Sequence, residues 1–326
     1  MIVLNQKEVQ KIIPPKEAKK VVVAVEKAFG DYGLQKVQMP PKMYLYFKKE
    51  NGDLRIMPSY SETLKMAGTK IVNVHPDNPK KGLKTVMASI ILNDPKNGMP
   101  IALMDGTYIT AIRTGAAGAV ATKYLARQNA KTLGIVGAGE QAFTQIVCIN
   151  TIKKMKEIYV YDLNPARIKA LASRLNKEGI KIIAAESLKQ AVQQDVVVTT
   201  TPSRKPIIKR EWILPGTHIN AIGADAEGKE ELDPQILKDA KIVIDDWAQA
   251  SHSGEINVPV HEGLIKESDV HGGLGDIVAK KIAGRANDQE ITVFDSTGLG
   301  VQDLYTAALV YKMALLKKIG KKIEII

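Results

Sequence analysis

The sequence predicts an α/β fold, a doubly wound parallel sheet with helices on both faces, accompanied by a smaller α+β domain. Three observations carry this. Between about residues 130 and 300, short apolar, β-branched runs alternate with amphipathic stretches of helical spacing. One of these runs ends in a turn of small residues, Gly137-x-Gly139-x-x-Ala142. The first 105 residues instead show strand-like runs broken by turn signals.

In the first part, Lys16–Phe29 reads as a helix, followed by strand-like Lys42–Phe47, Leu54–Met57, Thr69–Val74 and Thr85–Asn93. Asn51-Gly52-Asp53, Pro76-Asp77-Asn78-Pro79 and Asn97-Gly98 punctuate them, which predicts antiparallel pairing. From about Thr110 to Arg127 the small-residue run ITAIRTGAAGAVATKYLAR predicts a long, closely packed helix joining two domains. Then come the apolar runs Thr132–Val136, Ile158–Tyr161, Ile180–Ala184, Val196–Thr200, His218–Ile222, Ile242–Ile244 and Ile291–Phe294. Strands apolar throughout and separated by helices such as Pro165–Lys177 belong to a parallel sheet buried on both faces. The helix Val301–Lys317 is expected to return to the first domain, giving 1–113 with 302–326 as one domain and 114–301 as the other.

The small residues after Thr132–Val136 then acquire a purpose. In a Rossmann-type unit the first glycine, Gly137, allows the turn, and Gly139 lets the backbone approach a pyrophosphate. Ala142 packs helix on strand, and Ala138, Glu140 and Gln141 line the helix N-terminus, where free N–H groups face phosphate. The next strand ends at Asp162, about 20 residues further on, where an acid accepts hydrogen bonds from the adenosine ribose hydroxyls. Its charge repels a 2′-phosphate, so NAD is expected over NADP, although Arg167 leaves room for the latter. The bland alternative is that Asp162 only caps the helix beginning near Asn164-Pro165. Asn164 and Arg167 are taken into the candidate cofactor set.

Composition narrows the function classes. Hydrophobic residues make up 45% and charged residues 25%, as in soluble globular proteins. No apolar run reaches the roughly 20 residues that span a bilayer, and the N-terminus lacks the layout of a signal peptide, so a cytoplasmic protein with no membrane partner is expected. The net charge is +11, but the lysines are scattered and aromatics are only 5%, which argues against nucleic acid. The preponderance of lysine, glutamate and isoleucine is a bias of heat-adapted proteins. Cys148, the single cysteine, reads as a buried structural thiol. None of the five histidines pairs with another ligand at metal spacing, so no metal is expected, and Ser251-His252-Ser253 reads as a hydrogen-bonded loop rather than a triad.

The first domain supplies four cations in suggestive settings: Lys42, Arg55, Lys70 and Arg113. Lys70 lies among Thr69, Ile71, Val72 and Val74, and a lysine within an apolar strand is costly unless used. At these segments the sequence resembles the ornithine cyclodeaminase, mu-crystallin and archaeal alanine dehydrogenase family. The matching stretches are GTKIVNVHPDNP, ALMDGTYITAIRTGAAGAVATKYLAR, GIVGAGEQA, INAIGADAEGKEELD, GGLGDIVAKKIAGR and FDSTGLGVQDL, from about residue 40 to 305.

The resemblance implies a homodimer, formed through the N-terminal domain and C-terminal helix, with NAD bound by the middle of the chain. It implies that Lys42, usually arginine in the family, holds the substrate carboxylate, and that Lys70 contacts substrate. Arg113 would lie near carboxylate and nicotinamide, and Asp225 would be the catalytic acid/base. Thr85, Glu140, Gln141, Asp162, Thr201, Ile222, Lys229 and Ser296 fall at or beside cofactor-contacting positions, with the choice among Thr199–Thr201 open. The chemistry is consistent: oxidation of an amino acid yields an iminium that water must attack, so a carboxylate can take the water proton and a lysine can serve the carbinolamine.

In the cyclodeaminases the residue matching Arg55 is a glutamate placed for ornithine's side-chain ammonium. Arginine would repel that ammonium, which favours a small monocarboxylic amino acid; the stretch between 55 and 70 is also longer here. The expected activity is therefore NAD-dependent oxidative deamination of a small L-amino acid, alanine first. Ornithine cyclodeamination, reduction of a cyclic ketimine and non-enzymatic ligand binding are the alternatives.

Overall fold

The computed structural model describes residues 1–324 and divides into two compact units. One comprises Met1–Arg113 and the chain from Leu299 onward; the other is Thr114–Gly298. The helix Thr107–Leu125 contains the boundary.

The Thr114–Gly298 unit is built on an eight-stranded sheet whose pairs are all parallel. Its order is Ile183–Ala184, Glu157–Tyr161, Thr132–Val136, Val196–Thr199, His218–Ala221, Thr292–Asp295, Lys241–Ile244, Val270–Gly273. Val196–Thr199, His218–Ala221 and Thr292–Asp295 are buried at every residue, as expected for strands covered on both faces. The chain runs outward from Thr132–Val136 in one direction and then restarts on its other side with Val196–Thr199. The carboxyl ends of these two strands thus form the topological switch point.

Small residues permit close packing here. A Cβ on Gly115 would lie 2.4 Å from the Thr144 carbonyl oxygen, and one on Gly118 2.1 Å from Gln145 Oε1. Bulkier residues would push the Thr107–Leu125 helix off Glu140–Ile152. The edge strand Val270–Gly273 escapes pattern reading because VHGG has no apolar run. So does the two-stranded parallel ribbon of Arg204–Ile208 and Glu230–Leu232, short strands in which charged residues precede the apolar ones. Ser251-His252-Ser253, expected in a loop, lies instead in the helix Trp247–Ser253. Ser251 and Ser253 donate back to the carbonyls of Trp247 and Gln249.

The other unit holds a second eight-stranded sheet, antiparallel except where Ile2–Leu4 runs parallel to Pro100–Asp105. Val86–Asn93, Met66–Val74 and Gly52–Ser61 follow in order, and Gly52–Ser61 pairs in turn with Met43–Phe47 and Val37–Gln38. Pattern reading ends the Gly52–Ser61 strand at Met57, before a proline that cannot donate to a ladder. Pro58 is tolerated because it falls between two outer partners: Met43–Phe47 pairs residues 52–56, and Val37–Gln38 pairs 60 and 61. Helices Ala18–Gly33 and Gly300–Lys317 pack on each other, and the latter lies along Gly52–Ser61 and Met66–Val74.

Candidate active site

Strand register decides which side chains of the antiparallel sheet face the helices. Arg55 opposes Val72, and Met57 opposes Lys70, which in turn opposes Ile90. Arg55, Met57, Lys70 and Val72 therefore share one face, and all are buried. Lys70 is 2% exposed, and its Nζ lies 2.7 Å from Asp303 Oδ2 on the helix Gly300–Lys317. Arg113 Nε reaches the other oxygen of the same carboxylate at 2.9 Å, and Arg113 Nη1 donates to Gln302 Oε1 at 3.0 Å.

One buried carboxylate thus serves two buried cations, and the excess positive charge has a consequence. Burial lowers the Lys70 pKa most, and the Arg113 charge lowers it further, with Lys42 adding to the effect; Asp303 only partly restores it. The result is about 7 instead of 10.5. Lys42 is half-buried just ahead of Met43–Phe47. Arg55 is held by its neighbour Asp53 through a fork of two bonds, 2.9 and 3.0 Å, and its guanidinium lies over the Tyr44 ring at 5.4 Å. Its charge is therefore compensated within the protein, unlike that of the Lys70–Arg113 pair.

The glycine turn lies in the other unit. Gly137 has φ +95°, and a Cβ there would meet Thr200 Oγ1 at 2.8 Å, so glycine is required by the turn itself. Gly139 differs: a Cβ on it would find no atom within 4 Å. Among the described residues nothing demands glycine at the N-cap of Glu140–Ile152, so the open space suits a ligand pressed against the backbone. Asp162 accepts from the amide of Ala138 at 2.8 Å through Oδ2 and from that of Asn164 at 2.8 Å through Oδ1.

Asn164, not Asp162, caps the helix Pro165–Asn176, accepting from Ala166 N at 3.0 Å. Asp162 thus joins strand end to glycine turn, and the capping alternative does not describe it. Arg167 is exposed on the first turn of that helix. Glu140 forms a fork with Arg174 (2.8 and 3.0 Å), and Arg174 stacks on Phe143 at 4.2 Å.

Around the carboxyl ends of the neighbouring strands, Ile222 is buried and donates from its amide to Thr199 O. Ser296 follows Thr292–Asp295, and its buried Oγ has no hydrogen-bond partner among the described residues, a polar atom suited to a bound ligand. Asp225 lies in the loop after His218–Ala221 with Lys229 Nζ 2.6 Å from its Oδ1. Thr201 gives both its amide and its hydroxyl to Glu231 Oε1, at 2.7 and 2.6 Å. Thr85 belongs to the antiparallel unit, just before Val86–Asn93, where its carbonyl accepts from His75 N. Asp303, Gln302, Asp53, Glu231 and Arg174 escaped sequence reading. The signal for Asp303 was present: an acid in an otherwise apolar helical stretch, GLGVQDLYTA. No group of His, Cys, Asp and Glu among the described residues could hold a metal ion, and burial pushes the Cys148 thiol up.

Fold and geometry together define a class: a doubly wound α/β unit with a dinucleotide-type glycine turn at its switch point, and a second unit carrying a buried cation cluster. The sequence profile of the ornithine cyclodeaminase/mu-crystallin family matches residues 2–318, and the chain belongs to that family. It is 50% identical over 323 residues to alanine dehydrogenase of Archaeoglobus fulgidus, covering 99% of this chain and 98% of the relative. Among solved structures, an archaeal alanine dehydrogenase dimer with bound NAD superposes with a TM-score of 0.94 at 49% identity, over 100% of this chain and 99% of the other. The Δ1-pyrroline-2-carboxylate reductase of Thermococcus litoralis, in complex with NADH and L-proline, gives 0.95 at 41%, over 99% and 100%.

Proposed function

We propose that the protein is an NAD-dependent oxidoreductase that oxidatively deaminates a small L-amino acid, with L-alanine as substrate, yielding pyruvate, ammonium and NADH. The observation that carries this reading is the buried cluster of Lys70 and Arg113 around the single carboxylate of Asp303. Its excess positive charge calls for an anionic ligand, and its lysine exchanges a proton near neutral pH. The likeness to alanine dehydrogenases at 50% and 49% identity supports alanine in particular.

NAD supplies the hydride acceptor, and the residues suited to hold it are Gly137, Ala138 and Gly139 at the turn, Glu140 and Gln141 at the helix start, and Asp162 for the ribose. Asn164, Arg167, Ile222, Ser296, Lys229 and Thr85 complete the candidate set. The Thr201 hydroxyl proton is directed to Glu231, so its part is to shape the loop. In the chemistry of the chain itself, Lys42 and Arg113 take the substrate carboxylate. Lys70 donates to or accepts from the oxygen and nitrogen of the carbinolamine, and Asp225 removes the proton of the attacking water. Because Asp53 neutralises Arg55, the preference for a small monocarboxylic substrate rests on the likeness to alanine dehydrogenases rather than on repulsion by Arg55.

A homodimer accompanies this reading. Ile71, Met87 and Leu103 lie on the sheet face opposite Lys70 and are 37%, 38% and 36% exposed, an apolar surface suited to a second copy. The deciding assay follows absorbance at 340 nm with NAD and L-alanine. NADH formation together with ammonia is the expected result. Turnover of Δ1-pyrroline-2-carboxylate with NADH, and none of alanine, would establish the second reading, which the Thermococcus litoralis likeness favours. Ammonia from ornithine without net NADH would establish cyclodeamination.

A further inference from the structure

Glu231 follows the loop that carries Asp225 and has no exposure to solvent. Its Oε1 accepts from the amide and hydroxyl of Thr201, at 2.7 and 2.6 Å. Its Oε2 accepts from the Thr199 hydroxyl at 2.6 Å and the Gly223 amide at 3.0 Å. The four donors come from two segments, one at the carboxyl end of Val196–Thr199 and the other just after His218–Ala221. These are adjacent strands beside the switch point, and the second segment leads into Asp225.

From this geometry we propose that Glu231 is the positioning residue of the nucleotide-binding end, a buried carboxylate that locks together the loops carrying Thr201, Ile222 and Asp225. The proposal rests on the functional reading above, since it concerns the same cofactor.

The donors dictate the chemical form. Each oxygen of Glu231 faces a backbone N–H, which can only donate, so both oxygens must accept. A glutamine has one carbonyl oxygen, and in either orientation its amide N–H2 would be set against an N–H. A protonated carboxyl, unless its hydrogen found a threonine oxygen, would meet the same conflict. Burial pushes the Glu231 carboxyl up, and the bonds from Thr199, Thr201 and Gly223 oppose it.

The neighbouring Glu255 also supports the clamp. It has no exposure, and its Oε1 accepts from the amides of Glu231 and Leu232 at 2.9 and 2.6 Å. Burial and then the Glu231 charge push the Glu255 pKa well above its usual value. Gly223 is part of the fit, because a Cβ there would stand 2.5 Å from Glu231 Oε2 and 2.3 Å from Thr201 O.

The test is titration of NADH by fluorescence into full-length wild type and Glu231→Gln, with thermal unfolding of each in the absence of ligand. The expected result is a folded variant whose Kd for NADH is at least tenfold weaker. A folded Glu231→Gln that binds NADH within twofold of wild type overturns the proposal and leaves the functional reading intact. Wild type that binds no NADH overturns both.

Should the variant not fold, Thr199→Val removes one of the four donors, the hydroxyl that gives its proton to Glu231 Oε2. At least a threefold weakening is then expected, and unchanged affinity overturns the proposal. The split of kinetic constants separates positioning from general stability: KM for NAD rises alongside a fall in kcat as Asp225 loses its placement. A merely destabilised protein would lose active fraction with KM unchanged.

Discussion

In the proposed reaction, Lys70 is the residue on which most of the chemistry turns. With its pKa near 7, the turnover profile is expected to bend near pH 7, and Lys70→Arg, permanently charged, to abolish that inflection in a pH series of kcat/KM. The stability consequence has a definite sign. Below about pH 7 both folded and unfolded chains carry the ammonium, and the fold bears the full cost of burying it. Between about 7 and 10.5 the unfolded chain binds more protons, so this residue makes stability rise with pH. Urea unfolding at pH 7 and pH 9 should show that rise in wild type and a smaller one in Lys70→Met.

Asp303 acts in the opposite sense: Asp303→Asn removes the charge that favours the ammonium. Loss of this buried partner is expected to cost about 3–5 kcal/mol of stability in the same denaturation assay, and to move any surviving activity limb to lower pH. Asp225→Asn should lower kcat by roughly 10²–10⁴-fold with an unchanged unfolding midpoint; near-normal turnover would remove it from the catalytic set. The lysine was readable in the chain because a cation inside a β-branched strand violates local rules. The aspartate that answers it lies 190 residues beyond Arg113, and no periodicity spans that interval.

At the scale of elements, the two glycines of one turn are predicted to part company. Gly137→Ala puts a Cβ into positive φ and against Thr200, and is expected to lower stability by about 1–3 kcal/mol whether or not NADH is present. Gly139→Ala meets only open space, so its unfolding temperature should be nearly that of wild type while NADH affinity falls. Paired thermal-shift curves with and without NADH distinguish the two.

The turn, the parallel strands and the switch-point sheet were readable because each is encoded within about 30 residues of βαβ sequence. The Arg204–Ile208 and Glu230–Leu232 ribbon was not, since its strands are short and mix charged residues with the core residues Ile208 and Leu232. The length of Gly52–Ser61 was hidden for another reason: whether Pro58 is allowed depends on which neighbour lies beside it.

On the scale of the whole molecule, the apolar outer face of the antiparallel sheet predicts association. Leu103→Glu or Ile71→Glu should shift sedimentation from dimer to monomer with Lys70 chemistry probed separately, whereas an unchanged species would place the dimer contact elsewhere. Chain order adds a consequence for biogenesis. The unit holding Met1–Arg113 is closed by residues made after Thr114–Gly298, because Asp303 anchors Lys70 and Arg113, and Tyr305 hydrogen-bonds Asp31 from 274 residues away.

Thr114–Gly298, by contrast, is one uninterrupted stretch whose contacts are all in hand before the final helix leaves the ribosome. A nascent chain therefore holds a finished nucleotide-binding unit while the antiparallel sheet still lacks the helix Gly300–Lys317. Pulse-labelled amides are expected to gain protection in Thr114–Gly298 first and in Met66–Val74 last. Until that helix arrives, the sheet face bearing Met57, Lys70 and Val72 lacks the helix that packs along it.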